Sequence, residues 1–228
     1  MGRHSYPVND KIRSGGLPKN MGPESTGAAK TGRPYHHGRL RDALLEAGTA
    51  IIDRDGFERL TLRACAAKAG VSHAAPNHHF GNLGGLLTAL ATLAFERFFS
   101  TIAAAQAAAG DDPAARLQAA GRGYVTFARR HPGLFRLMFD KARLDWRDDG
   151  LKAAADAAYA QLLETVAPFA ETQERAARDR LALLVWSTVH GYAHLLLAGP
   201  LDRHAISADG LSHLPDLEAV VKAATARR

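Results

Sequence analysis

From residue 38 onward, apolar and polar positions follow a helical period. Leu40, Ala43, Leu44, Ala47 and Ile51 fall at i, i+3, i+4, i+7 and i+11, one stripe of an amphipathic helix. The run Asp53-Arg54-Asp55-Gly56-Phe57 ends that helix. Gly56 suits the left-handed position after a last turn, and Phe57 returns to the core. Thr61 is a good N-cap for a short second helix with an inward stripe of Leu62, Cys65, Ala66 and Ala69, closed by Gly70. Ser72 can cap a third, very short helix over 73–78. The last two helices are joined by the tight turn Ala69-Gly70-Val71-Ser72, and that spacing is a helix-turn-helix pattern.

The rest of the chain is helical in pattern too. Helices are predicted over 84–108, over 113–130 with Asp112 as N-cap and Pro113 at the first position, over 132–139, 150–167 and 172–198, and over 216–225 behind Asp216. No strand-like alternation and no internal repeat appear, so the fold class is all-α. The organisation expected is a basic arm over 1–37, a three-helix helix-turn-helix unit over 38–83, and a helical unit over 84–228. The arm is rich in Gly, Pro, Ser, Asn and Lys without periodicity, a composition that favours disorder.

Charge sharpens this picture. The net charge is +6, yet residues 1–38 alone hold six Lys/Arg against two Asp/Glu, while 39–88 hold six against five. A basic arm ahead of a folded unit favours a polyanionic partner, nucleic acid first. The single cysteine, Cys65, rules out a disulfide framework and fits a reducing compartment, the cytoplasm. Its place on the inward stripe reads as a small core hydrophobe. The stretch 181–201 has no formal charge and nearly the length of a membrane span. It also holds Ser187, Thr188, His190, His194, two glycines and Pro200, so a core or interface helix is expected and no membrane partner.

The segment Gly70-Val71-Ser72-His73-Ala74-Ala75-Pro76-Asn77-His78-His79-Phe80 holds three histidines and invites a metal reading. Two helical ligands cooperate at i, i+4 or i, i+3. Here His73 and His78 are five apart, His78 and His79 diverge by about 100°, and no Asp or Glu occurs from 59 to 95. No metal and no cofactor is expected. A DNA-reading helix explains the segment better. Ala74 and Ala75 permit close approach to a groove, and an alanine methyl can touch thymine. His73 and Asn77 can meet bases or phosphates, and His78 a phosphate.

The stretch 60–87, Leu-Thr-Leu-Arg-Ala-Cys-Ala-Ala-Lys-Ala-Gly-Val-Ser through Leu86-Leu87, resembles the N-terminal domain of the TetR-type transcriptional repressors. The match runs from about residue 38 and takes in Gly56-Phe57, Thr61, Ala66, Gly70-Val71-Ser72, His79-Phe80 and Leu86. The later half resembles one subgroup through 131–139, His-Pro-Gly-Leu-Phe-Arg-Leu-Met-Phe, and through Trp186-x3-His190-Gly191. The resemblance implies a homodimer on a palindromic double-stranded operator. It also implies a helical C-terminal domain whose internal pocket binds a small-molecule effector that releases DNA. The DNA-binding residues it implies are Arg33, Arg39, Thr61, Arg63, Ser72, His73, Ala74, Ala75, Asn77 and His78. Two positions depart from the pattern: Asn77 stands where the family commonly has Tyr, and Leu83 where it commonly has Lys. Both family side chains usually hold phosphates, and losing them removes positioning contacts.

For the pocket, Trp186 and His190 are i, i+4 and share a face, either lining a cavity or packing as a core pair. Phe95, Phe99, Tyr124, Phe127, Phe135, Met138 and Tyr159 complete the ligand candidates. For a dimer interface the candidates are Leu184, Ser187, Gly191, Leu195, Val220 and Val221. Ser187 and Gly191 are small at i, i+4 and would admit another helix. No nucleophile–base pair points to catalysis, so no catalytic residue is expected. Two function classes follow: a ligand-responsive repressor, or an all-α small-molecule-binding or enzymatic domain whose DNA function has decayed.

Overall fold

A computed structural model of the chain describes residues 36–170, 174–199 and 210–226, with side chains from Arg39 onward. The basic arm, including Arg33, lies outside the described residues. Nine helices follow in order among the described residues: α1 His36–Asp55, α2 Leu62–Ala69, α3 Ala75–Phe80, α4 Leu83–Ala108, α5 Pro113–Arg130, α6 Pro132–Met138, α7 Asp149–Val166, α8 Arg175–Ala198 and α9 Leu217–Thr225. No strand occurs among them. The described residues form one compact unit, in which α4 begins at Leu83.

Local signals set most boundaries. Thr61, Asn82, Asp112, Asp148 and Asp216 each accept a hydrogen bond at their helix start from the backbone N–H three residues on, at 2.8–3.1 Å. Gly70 ends α2 in the left-handed conformation. Gly56 has a positive φ of 83° but a ψ of 159°, an extended form of that region and not the left-handed helical cap expected. The third helix departs most. It starts at Ala75 and not at residue 73, and Ser72 gives it no side-chain cap. Pro76 is the reason: with no N–H to donate, proline fits only the first turn, so the helix begins just before it. On α1, Ala43 is exposed, whereas Leu45 and Ile52 join Leu44, Ala47 and Ile51 in the core.

Helix α4 is the axis of the molecule. It packs on α5, α7 and α6, and its first turns touch α1 and α3. Two glycines set close approaches. A Cβ on Gly85 would lie 2.0 Å from the Phe80 carbonyl, where α3 turns into α4. A Cβ on Gly133 would lie 2.3 Å from the Ile52 carbonyl, where α6 presses on α1. Asp53 reinforces that second junction. Its carboxylate accepts from the Leu134 N–H at 3.3 Å and bonds His131 Nδ1 at 2.8 Å. Cys65 is fully buried, its thiol donating to the Leu44 carbonyl at 3.1 Å, and burial pushes the thiol pKa up.

Candidate functional site

The surface around α2 and α3 is the first candidate. Thr61, Arg63, Ser72, His73, Ala74, Asn77 and His78 are exposed together there, and Arg39 is exposed on α1. Ala75 is different. It and Pro76 are buried, so Ala75 is the residue that seats α3 on the core and is not placed to read a base. Leu83, the other departure, opens α4 with its side chain about one-third exposed. The Arg41 guanidinium lies 5.6 Å from the centroid of the Phe80 ring, which steadies the end of α3.

The second candidate is a partly open cavity of about 450 Å³ lined by α4, α5, α6, α7, α8 and the loop before α7. This falls in the range of small-molecule sites. Phe95, Tyr124, Met138, Tyr159 and Trp186 line it, together with Phe98, Phe139, Trp146 and Gln161, which the sequence reading did not select. Phe127 and Phe135 do not line it. They are fully buried, Phe127 edge-on to Phe98 at 5.4 Å and Phe135 edge-on to Tyr124 at 5.7 Å. Phe99 is exposed and also off the cavity. Adjacent helical residues diverge by about 100°, and here Phe98 turns to the cavity, three residues from Phe95, while Phe99 turns to solvent. That spacing was the available signal. Trp146 sits in the loop before α7, where periodicity carries no information.

His190 reaches the site indirectly. It does not line the cavity, but its Nδ1 lies 2.6 Å from the Tyr124 hydroxyl, which does belong to the wall. Burial, followed by the nearby His194, pushes the His190 pKa down. Burial likewise pushes the Tyr124 phenol up. Both groups are therefore neutral near pH 7, and the pair fixes a wall of the cavity without adding charge. Tyr159 donates to Asp179 Oδ1 at 3.2 Å and ties α7 to α8.

The third feature is the outer face of α8. Leu183 and Leu195 are 60% and 51% exposed, and Trp186, Ser187 and Gly191 are exposed beside them. A Cβ built on Gly191 would meet nothing within 4 Å. The most apolar window of α8 is only 28% buried, against 50% for α4, so α8 keeps an uncovered apolar side. Leu184 and Val220 are half-buried, but Val221 is fully buried inside its own chain. It shares the inward stripe of α9 with Leu217 at i, i+4, so it is not available to a partner. Among the described residues no cluster of three or more His, Cys, Asp or Glu is arranged to hold a metal.

Comparison with known proteins adds the context. Residues 44–90 match the family described as bacterial regulatory proteins, tetR family, and residues 117–214 match the tetracyclin repressor-like C-terminal domain. An uncharacterized HTH-type transcriptional regulator of Mycobacterium tuberculosis is 25% identical over 71% of this chain and 72% of its own length. A solved protein of unknown function from Rhodococcus sp. RHA1 is 34% identical, with a TM-score of 0.64 over 85% of this chain and 95% of that one. A TetR-like transcriptional regulator from the same organism shares the fold at 20% identity, with a TM-score of 0.56 over 83% of this chain and 97% of its own.

Proposed function

This chain belongs to the TetR family of bacterial transcriptional regulators, and from that premise we propose that it is a repressor released by a small molecule. It binds a palindromic operator as a homodimer in the cytoplasm. A ligand entering the cavity between α4 and α8 lowers that affinity. We assign it to the subgroup carrying the Trp186-x3-His190-Gly191 motif. Residues 38–83 supply the DNA-reading unit and residues 84–228 supply the cavity and the dimer face.

The observation that carries the reading is the exposure of one polar set around α3 while Ala75 and Pro76 anchor that helix. His73, Asn77 and, through its small size, Ala74 lie toward the bases. Thr61, at the N-terminus of α2, and His78 hold backbone phosphates, since free N–H groups at a helix start favour an anion. The uncovered side of α8 supports the dimer, because two-fold pairing would bury it.

Selection of bound sequences from a random duplex pool with the full-length chain tests this reading. A palindromic consensus is expected. Asn77→Ala should cost about 1–3 kcal/mol on the selected site and relax one position per half-site. His78→Ala should weaken all duplexes about equally. The second reading, a binding domain without DNA function, is favoured by Asn77 and Leu83, which replace two phosphate-holding side chains. No enrichment at low salt, where phosphate contacts are strongest, would select it instead.

A further inference from the structure

The cavity has a polarity of its own. Two side-chain atoms of its lining residues are buried without a hydrogen-bond partner, the indole Nε1 of Trp146 and the amide Oε1 of Gln161. Neither atom is exposed to the cavity as it stands, so a ligand meets them by turning these two side chains. Gln161 is 9% exposed, so solvent does not satisfy it. Its orientation follows from a directed chain of bonds. The Thr165 hydroxyl spends its one proton on the main-chain carbonyl of Gln161, at 2.7 Å. It therefore accepts from Gln106 Nε2, at 2.8 Å. That turns Gln106 Oε1 toward Gln161 Nε2, at 3.3 Å. The oxygen of Gln161 is the atom left over, an acceptor waiting for a donor. Trp146 is the converse, since an indole N–H can only donate.

The two atoms are well separated. The Trp146 ring packs edge-on to Phe95, with centroids 6.4 Å apart, whereas the Gln161 amide meets the Phe99 carbonyl and Gln106. Those partners lie one to three turns further along α4, a separation on the order of 10 Å. Between them the wall is aromatic and aliphatic. The charged side chains that touch the cavity, Lys141 and Asp156, are both exposed and mark its rim. An ionised group drawn inside would lose its hydration without gaining a counter-charge.

We propose that the cavity takes a neutral, elongated, largely aromatic molecule with an acceptor oxygen at one end, received by Trp146 Nε1–H, and a hydroxyl or N–H donor at the other, received by Gln161 Oε1. This rests on the reading of the cavity as the effector site. The two ends act as separate filters, because each leaves a buried group unpaired when its partner is missing, and such sites discriminate strongly against the analogue that lacks it.

The chain has two tryptophans, Trp146 and Trp186, and both line the cavity, so intrinsic fluorescence reports its filling. Four rod-like biaryls test the idea on the full-length protein: 4-acetyl-4′-hydroxybiphenyl, its methyl ether, 4-ethyl-4′-hydroxybiphenyl and 4′-hydroxybiphenyl-4-carboxylate. The keto-phenol should bind about tenfold or more tightly than each of the others. Trp146→Phe should erase the preference for acetyl over ethyl and keep that for hydroxyl over methoxy, read through Trp186. Gln161→Met should do the reverse. The wild-type series stands on its own should either variant misfold. Equal affinities across the series, tighter binding of the carboxylate, or no quenching by any probe would overturn the proposal. Operator binding is measured in parallel. Selective probe binding without DNA binding would leave this inference intact and remove the repressor, and the opposite result would do the converse.

Discussion

Gly133→Ala should separate the two ends of the molecule. Gly133 lies in the first turn of α6, directly over the backbone of Ile52 on α1, and its own φ is not in the positive region. The substitution is therefore conformationally allowed and fails only on space. The new methyl would stand 2.3 Å from the Ile52 carbonyl oxygen and 2.6 Å from its carbonyl carbon. Ordinary contact needs about 3.5 Å, so α6 and α1 must part by roughly 1 Å. The obstructing atoms are backbone, with no rotamer to yield. Overpacking of this kind costs about 1–3 kcal/mol, whereas the gain in helix propensity is at most about 1 kcal/mol and smaller in a first turn. Overpacking wins by about 1–2 kcal/mol, a fall in Tm of roughly 2–8 °C for a chain of this size. The same shift would break the bond from the Leu134 N–H to Asp53, already 3.3 Å long. Helix α6 carries Met138, in the cavity wall, at its other end, so this junction is a direct link from the cavity to α1, beside the one made by α4. Filling the cavity should then change operator affinity several-fold less in the variant than in the wild type. Thermal unfolding by circular dichroism and operator titration with and without the keto-phenol measure both effects. A Tm within about 1 °C of wild type and an unchanged response to ligand would refute the reasoning, for the gap would then be open and α6 would not be such a link.

Two further outcomes are expected. Leu195→Asp and Gly191→Leu both alter the uncovered side of α8, where one chain offers no contact to Gly191; each should convert a dimer to a folded monomer by light scattering, and an unchanged dimer mass in both would place the interface elsewhere. His190 has a depressed pKa, from burial and then His194, so the unfolded chain takes up the proton first. Its stabilising contribution is complete above about pH 6.5 and is lost as pH falls below it. Urea midpoints between about pH 7.5 and 5 should fall with acidity, and His190→Gln should flatten the slope.

Much of the fold is legible because helix ends are local chemistry. Asp112-Pro113, Thr61, Asp216 and Gly70 act on backbone groups within one turn of themselves, so their effect survives any tertiary arrangement. The start of α3 is poorly marked in the sequence because a cap and a proline compete within five residues. Ser72 offers a bond to the helix, but Pro76 forbids an interior position, and an absent N–H outweighs an optional cap. The cavity was less legible. Its wall depends on which of two adjacent aromatics turns inward, as with Phe98 and Phe99, and on a loop residue, Trp146, that no period marks. Gln161 and Thr165 stand out only after the fold is known, because a polar residue on a helix is unremarkable until its surroundings exclude water. Val221 shows the same limit from the other side: an apolar stripe on α9 does not say whether its own chain or a second copy will cover it.

One residue joins these surfaces. Trp186 lines the cavity, its ring lies 6.2 Å from Phe139 and 6.4 Å from Tyr159, and its side chain is one-third exposed, three residues from the exposed Leu183. A second copy whose contact extended past Leu183 to Trp186 would touch the same indole that a ligand in the cavity meets. A planar side chain cannot shift to suit one neighbour without moving against the other, because packed interiors yield little. Dimer formation would therefore hold the cavity wall in place, and ligand binding would press on the dimer contact. By linkage, whatever the ligand does to dimer affinity, the dimer does to ligand affinity by the same factor. Monomers made by Leu195→Asp should accordingly bind the keto-phenol with an affinity different from that of the dimer. Identical affinities in the two states would mean that Trp186 is held by its own chain alone.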